Sequence, residues 1–391
     1  KKENKKYNIS VSSSLNNSSV KVEKLNYKKE SGINANVDFD LDLIINKYLL
    51  IKSLSYLENK NEIFLKQIKL NKDLEIVDIK KIKTITYLND LKNNDFTINK
   101  EDKLKISGDI FDAQPLLKSL FNNNGKKIFG KNFNSEIKIN FKKVTTGTDD
   151  DISDLGVIAS INSGSYNKLS LKGNFSINEI IEMSIYQVNE EKKTLQIISD
   201  RARPFIKHFD FIDGFEDGKL EYESTIFKTN SISNLVLSDF KVSKVPALAK
   251  LLTLASLQGI ADTLSGEGIR FQSFEMKSNT KNNVLNIEDA LAMGPAVSIL
   301  LDGYVDKGKV VSLRGTLVPA TKLNSIISKI PLVGDILVGK KTGEGVVGVS
   351  FRMKGPPKNI KTTVNPIKTL TPRFILRAVE KIKKKNQNKT K

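Results

Sequence analysis

The sequence predicts a mainly β protein: a long antiparallel sheet of short, meandering strands, interrupted by short amphipathic helices and ending in helix. Three observations predict it. Apolar and polar residues alternate in run after run, the period of a strand with one dry and one wet face. Polar turn residues separate these runs at short intervals, which suits antiparallel connections. An apolar–polar–Gly core also recurs, in Ile106-Ser-Gly108, Leu171-Lys-Gly173, Leu301-Asp-Gly303, Leu313-Arg-Gly315 and Met353-Lys-Gly355. A glycine inside a strand often marks a bulge or sharp local twist, and repetition would curl a sheet in one direction. The recurrence reads equally as the ordinary frequency of glycine at strand ends. Alternation alone leaves two architectures open, a curled sheet around an apolar groove and a closed sandwich with a packed core.

Taken in order, residues 1–31 are polar and Ser/Asn-rich, with a short strand around Val20 and Val22. Ile33, Ala35, Val37, Phe39, Leu41, Leu43 and Ile45 then alternate with polar neighbours, a long one-sided strand. The following LDLIINKYLLIKSLSYL reads equally as more strand or a short helix. Further alternating runs lie at Phe64–Leu70, Leu74–Ile79, Leu104–Ile106, Ile137–Phe141, Leu169–Phe175, Met183–Val188, Leu195–Ile198, Leu220–Ile226 and Leu235–Val242. Beyond them come Ile269–Met276, Val284–Ile287, Val297–Val305, Val311–Leu317 and Val347–Met353.

Short helices are expected at Asp112–Phe121, Asp200–Phe211 and Thr321–Gly339, the last split at Pro331. The longest apolar segment, Pro246–Phe271, carries Leu251, Leu254, Leu257, Ala261 and Leu264 at steps of three and four. That spacing predicts one helix with a broad apolar stripe, opened by Pro246 and stopped at Gly266. Thr371–Lys385 is a basic amphipathic candidate, with Phe374, Ile375, Val379 and Ile382 on one side. Its small apolar face favours a solvated helix end over membrane attachment.

Composition limits the function classes. A formal charge of +19 invites nucleic acid. Only seven of the 63 basic residues are Arg, however, and base or bidentate phosphate recognition favours Arg, so no nucleic-acid partner is expected. Absence of Cys excludes disulfides and thiolate metal sites. No segment is a clean membrane span, since Lys250 and Asp262 interrupt the longest apolar stretch. The chain opens KKENKKYNIS, without an initiator Met or signal region, and reads as part of a longer or processed protein.

Catalytic chemistry finds little to stand on. His208 is the only histidine, with Asp210 and Asp213 beside it, and reads as a loop histidine rather than a general base. Asp149–Asp151 lacks the alternating spacing of a calcium loop and reads as a solvated turn. Gly266-Glu-Gly268 and Gly343-Glu-Gly345 lack the residues of a phosphate cradle and read as tight turns. No catalytic, cofactor-binding or metal site is expected.

The C-terminal part resembles a known family. VPALAKLLTLASLQGIADTLSGEGIRF (Val245–Phe271), MGPAVSILLDGYVD (Met293–Asp306), Leu313–Pro356 with its IPLVGD and GEG motifs, and VNPIKTLTPRF (Val364–Phe374) are similar to the AsmA-like C-terminal region of the YhdP family. The likeness covers about residues 200–375 and thins upstream, where FDAQPLLK (Phe111–Lys118) and DRARPFIKHFDFIDGFEDGKL (Asp200–Leu220) resemble a recurring short helix. Glu216-Asp217-Gly218 departs from the usual glycine pair there, and the first hundred residues carry no motif of the family.

The resemblance implies a long curled sheet forming an apolar trough and no enzyme chemistry. It also implies a periplasmic place in the bacterial envelope, with an inner-membrane anchor supplied by an N-terminal helix outside this sequence. The implied function is movement of phospholipid between inner and outer membrane, supporting the outer-membrane barrier. Expected organisation is a β-rich groove segment over 1–199, the AsmA-like region over 200–375 and a basic tail over 376–391. Groove candidates, from alternation, are Val37, Phe39, Leu41, Ile137, Ile139, Val297, Ile299, Val349 and Phe351. Expected partners are phospholipid acyl chains and a membrane surface. The alternative is an envelope assembly scaffold docking a protein partner through Leu251, Leu254, Leu257 and Leu264.

Overall fold

The computed structural model describes residues 5–121, 129–207, 214–243, 245–254, 257–306, 308–320, 348–357 and 359–367. Twenty strands make a long sheet, antiparallel apart from one parallel pair, with a few short helices between them. The chain divides into two compact units, Lys1–His208 and Phe209–Lys391. The first unit includes an ion-paired segment just past residue 199. Arg203 lies in the short helix α2 (Arg203–Ile206) and reaches Asp150 at 2.6 Å and Asp149 at 3.4 Å, in the loop after residue 145. Within the Asp149–Asp151 run, Asp149 is the solvated turn residue expected, its side chain 95% exposed. The Asp150 side chain, by contrast, is 9% exposed against Arg203, and Asp151 is held by Lys143 at 2.8 Å.

The first unit contributes twelve sheet strands. In spatial order they are β1 (Lys6–Ser14), β4 (Asn36–Ile44), β5 (Tyr48–Glu58), β6 (Asn61–Asn71), β7 (Ile76–Leu88), β8 (Leu91–Lys100), β9 (Leu104–Asp112), β10 (Ser135–Thr145), β11 (Ile152–Asn162), β12 (Ser165–Ser176), β13 (Glu179–Asn189) and β14 (Lys192–Ser199). A separate hairpin, β2 (Val20–Val22) with β3 (Tyr27–Lys29), lies between β1 and β4 in sequence and outside the long sheet. The ambiguous LDLIINKYLLIKSLSYL is a hairpin, turning at Asn46 with φ 62°. Leu74, expected to start a strand, sits in a turn with φ 60° and is 68% exposed.

The pair β9–β10 is parallel, so the chain must return to the end where β9 began. It leaves through α1 (Gln114–Phe121) and comes back as residues 129–134, where Phe129 bridges Ile76 and Phe133 is 1% exposed.

The second unit runs in chain order: β15 (Gly214–Phe227), β16 (Asn230–Ser243), β17 (Ile269–Lys281), β18 (Val284–Met293), β19 (Val297–Asp306), β20 (Val310–Pro319), β21 (Gly348–Gly355) and β22 (Lys361–Ile367). Between β16 and β17 the expected single helix is two, α3 (Pro246–Leu254) and α4 (Gln258–Ser265). Leu257 is the N-cap of α4 with ψ 46°, outside either helix, so the apolar stripe is broken where the sequence made it continuous. Helix α3 packs against α4 and β22, and α4 against β16 and β17.

Tight turns use the asparagines. Asn89–Asp90 and Asn282–Asn283 are two-residue loops with both residues at positive φ, the primed hairpin geometry that matches strand twist. Inside the strands, Gln67, Asp154 and Asp239 adopt φ of 50–54° and shift the alternation by one. Apolar side chains three apart consequently share burial: Ile152 with Leu155 and Leu237 with Phe240. Such local bulges re-aim a strand without ending its pairing.

Candidate functional site: the apolar face of the sheet

Each strand offers the sheet one apolar and one polar face, and pairing aligns the apolar ones. Following the pairs across the first unit gives Val11, Phe39, Leu54, Leu65, Ile82, Ile98, Ile106, Ile139, Val157, Leu171, Met183 and Ile197. Twelve strands thus contribute twelve apolar residues and no polar one, a row about 50 Å long at the usual strand spacing. Most of its members are half-buried rather than buried. A second row passes through Leu104, Ile137, Ala159, Leu169, Ile185 and Leu195.

The second unit repeats the arrangement. One row is Leu220, Leu237, Phe274, Ala292, Ile299, Leu317, Val349 and Pro366. The next is Tyr222, Leu235, Met276, Ala290, Leu301, Gly315, Phe351 and Val364. Burial is graded along the strands. Val297, Leu317 and Val318 are fully buried at the end that leads into α3 and α4, whereas Leu301, Val305, Val311 and Leu313 are half-buried farther along.

All nine groove candidates lie on these apolar faces. Val37, Phe39, Leu41 and Ile139 are half-buried; Ile137, Val297, Ile299, Val349 and Phe351 are buried. Full burial makes Val297 a packing residue rather than a surface one. The helix candidates divide in the same way. Leu251 and Leu264 are 2% and 0% exposed, inside their own unit, Leu257 is half-buried, and Leu254 keeps 45% exposure.

Two strand glycines show how the face is shaped. A Cβ on Gly108 would lie 2.6 Å from the Phe96 Cβ, and one on Gly315 would lie 2.6 Å from the Phe351 ring. Phe96 and Phe141, from the strands flanking Gly108, meet over it with ring centroids 6.0 Å apart. Glycine here makes room for rings from neighbouring strands to close across it.

Polar networks secure the end of the first unit where the β2–β3 hairpin packs. The Tyr27 hydroxyl donates to Glu58 at 2.8 Å and lies 2.7 Å from the Tyr56 hydroxyl, while Asn61 donates to Glu58. Burial, reinforced by these hydrogen bonds, pushes the Tyr27 phenol far above its ordinary pKa; burial also raises that of Tyr56. Lys29 is 1% exposed, its ammonium donating to the carbonyls of Leu15, Ser18 and Glu30 at 2.8–3.0 Å. Sequence reasoning missed this network, because a buried Lys without a carboxylate leaves no pattern.

His208, Asp210 and Asp213, the Thr321–Gly339 helix, Gly343-Glu-Gly345 and the Thr371–Lys385 tail lie outside the described residues. Among the described residues no group of three or more His, Asp or Glu could hold a metal, and no helix is long and apolar enough to cross a membrane. Compared with known protein families, curated proteins and solved structures, the chain matches none. Functional interpretation therefore rests on the apolar rows themselves.

Proposed function

We propose that this protein is a non-enzymatic lipid conduit of the bacterial envelope, similar to the AsmA-like YhdP family, whose curled sheet guides phospholipid acyl chains between membranes. The observation that carries the reading is the uninterrupted twelve-residue apolar row of the first unit. A half-buried apolar face that wide is a liability unless something apolar covers it. Each acyl CH₂ moved from water onto it gains about 0.8 kcal/mol, and a row without polar breaks offers nearly uniform affinity along its length. Polar charges stay on the opposite face, as Asp38, Asp40 and Lys66 do.

Two features favour a curled sheet over a flat one. Glycines under aromatic rings are the device by which sheets bend. In the second unit, a short helix pair contacts both β16 and β22, six strand spacings apart, as a chord across a curve would. The scaffold alternative is weaker, since Leu251 and Leu264 are already occupied by packing within the unit.

Gentle purification followed by native mass spectrometry tests the proposal. Phospholipid adducts are expected, and Phe39→Asp or Leu54→Asp should reduce them several-fold while Lys66→Asp leaves them unchanged. Lipid-free protein, or adducts indifferent to all three substitutions, would overturn it.

A further inference from the structure

The polar face of the second unit holds a cluster of positive charge that the described residues leave largely uncompensated. Arg314 on β20 lies directly opposite Arg352 on β21, and Lys354 on β21 directly opposite Lys361 on β22. Like charges placed directly across a sheet destabilise it. Asp302 answers one of the four, accepting from Arg314 Nε at 2.9 Å. Arg352, Lys354 and Lys361 have no ion pair among the described residues. Two of the seven arginines in the chain therefore stand side by side where lysine would be the commoner residue.

Arg314, Arg352 and Asp302 line a cavity of about 550 Å³, to which Thr316, Ser350 and Thr363 also contribute. A dish of similar size on the polar face of the first unit, about 580 Å³, behaves differently. There Lys142, the cation in the lining, has its carboxylate in Asp109 at 2.8 Å, and Asp95 and Asp154 add further negative charge. The two dishes differ in charge balance rather than in size.

We propose that the Arg314–Arg352 cavity binds a phosphate group. Arg352 offers an unpaired guanidinium fork for bidentate contact, Arg314 is steadied beside it by Asp302, and the hydroxyls supply further donors. Bound phosphate would supply the negative charge that Arg352 lacks among the described residues. Its source is either a free phosphate or a lipid headgroup at a membrane surface. The site lies on the face opposite the apolar rows and does not depend on acyl-chain transport.

Calorimetric titration with inorganic phosphate, and flotation with vesicles of phosphatidylglycerol in phosphatidylcholine against phosphatidylcholine alone, test it on the full chain. Binding of free phosphate is the expected result for a soluble ligand; recruitment only to phosphatidylglycerol vesicles would assign the headgroup. In either case Arg352→Gln should weaken binding about tenfold, the scale of one lost charge-assisted contact, and Lys66→Gln should not. Arg352→Lys, which keeps the charge, should retain part of the affinity and guards against a folding defect. Co-purified lipid should be the same in Arg352→Gln as in the parent, which separates this site from the conduit. Failure of both ligands to bind, or equal loss on Lys66→Gln, would overturn the proposal.

Discussion

Lys29 and Asp42 show two ways in which single charges hold strands in place. Lys29 donates to three backbone carbonyls, of which that of Leu15 also accepts from the Ser18 N–H, so Lys29→Met removes the side-chain donor from those of Ser18 and Glu30. A loss of about 2–3 kcal/mol is expected from urea unfolding at neutral pH. Asp42 on β4 is gripped from both sides, by Lys52 of β5 at 2.6 Å and Lys6 of β1 at 3.2 Å. The Lys52 hydrogen bond, aided by Lys6, holds its carboxyl below the ordinary range, as Lys142 does for Asp109 and Lys103 for Glu136. Depressed folded pKa values give stability that is present above the unfolded carboxyl pKa, about 4, and lost as pH falls through the lower folded values. Acid titration should therefore show a falling limb below about pH 4, with a smaller drop in Asp42→Asn. Tyr27 has the opposite sign: its phenol is raised, so stability is present below about pH 10 and falls at higher pH.

Strands with clear alternation were legible, β6 and β16 even across their bulges at Gln67 and Asp239, whereas β8, β11 and β1 were not. β8 (LKNNDFTINK) places Asn93 and Asn94 in the interior, where they donate to the Leu25 carbonyl, so its polar residues face inward and mask the period. β11 slips by one at Asp154, and β1 carries serines through its second half. Their signal was the pairing itself, which a sequence does not display. The helix between β16 and β17 was misread as continuous because Leu257 kept the spacing while its backbone left the helix. Burial gives the pair a sharp test. Leu264→Ala should cost about 2–5 kcal/mol by denaturant unfolding, whereas Leu254→Ala, at a half-exposed site, should cost well under that. At the bulge, Asp239→Val should destabilise by about 1–2 kcal/mol and Asp239→Gly by less, because a β-branched residue resists positive φ.

At the scale of the molecule, the apolar rows, the polar reverse face and the basic balance act together. With 63 basic and 44 acidic residues the chain repels itself, and screening should relieve it. Thermal unfolding is expected to rise by several degrees between about 10 and 150 mM salt, most of it within the range where the screening length shrinks. Fold class was readable from the strand period over both units. The apolar rows were readable only in part: alternation put Phe39 and Ile139 on dry faces, but only their pairing through Leu54, Leu65, Ile82, Ile98 and Ile106 joins them.

The parallel step between β9 and β10 has an evolutionary consequence. Hairpins enter and leave at one end of the sheet, so a gene can gain or lose them two strands at a time and change the length by about 10 Å while keeping every surviving contact. Odd increments are forbidden to hairpins, and the crossover through α1 and Phe129–Phe133 is what permits one. A hairpin meander thus lengthens in steps of two strands, and the crossover is the place where an odd strand fits.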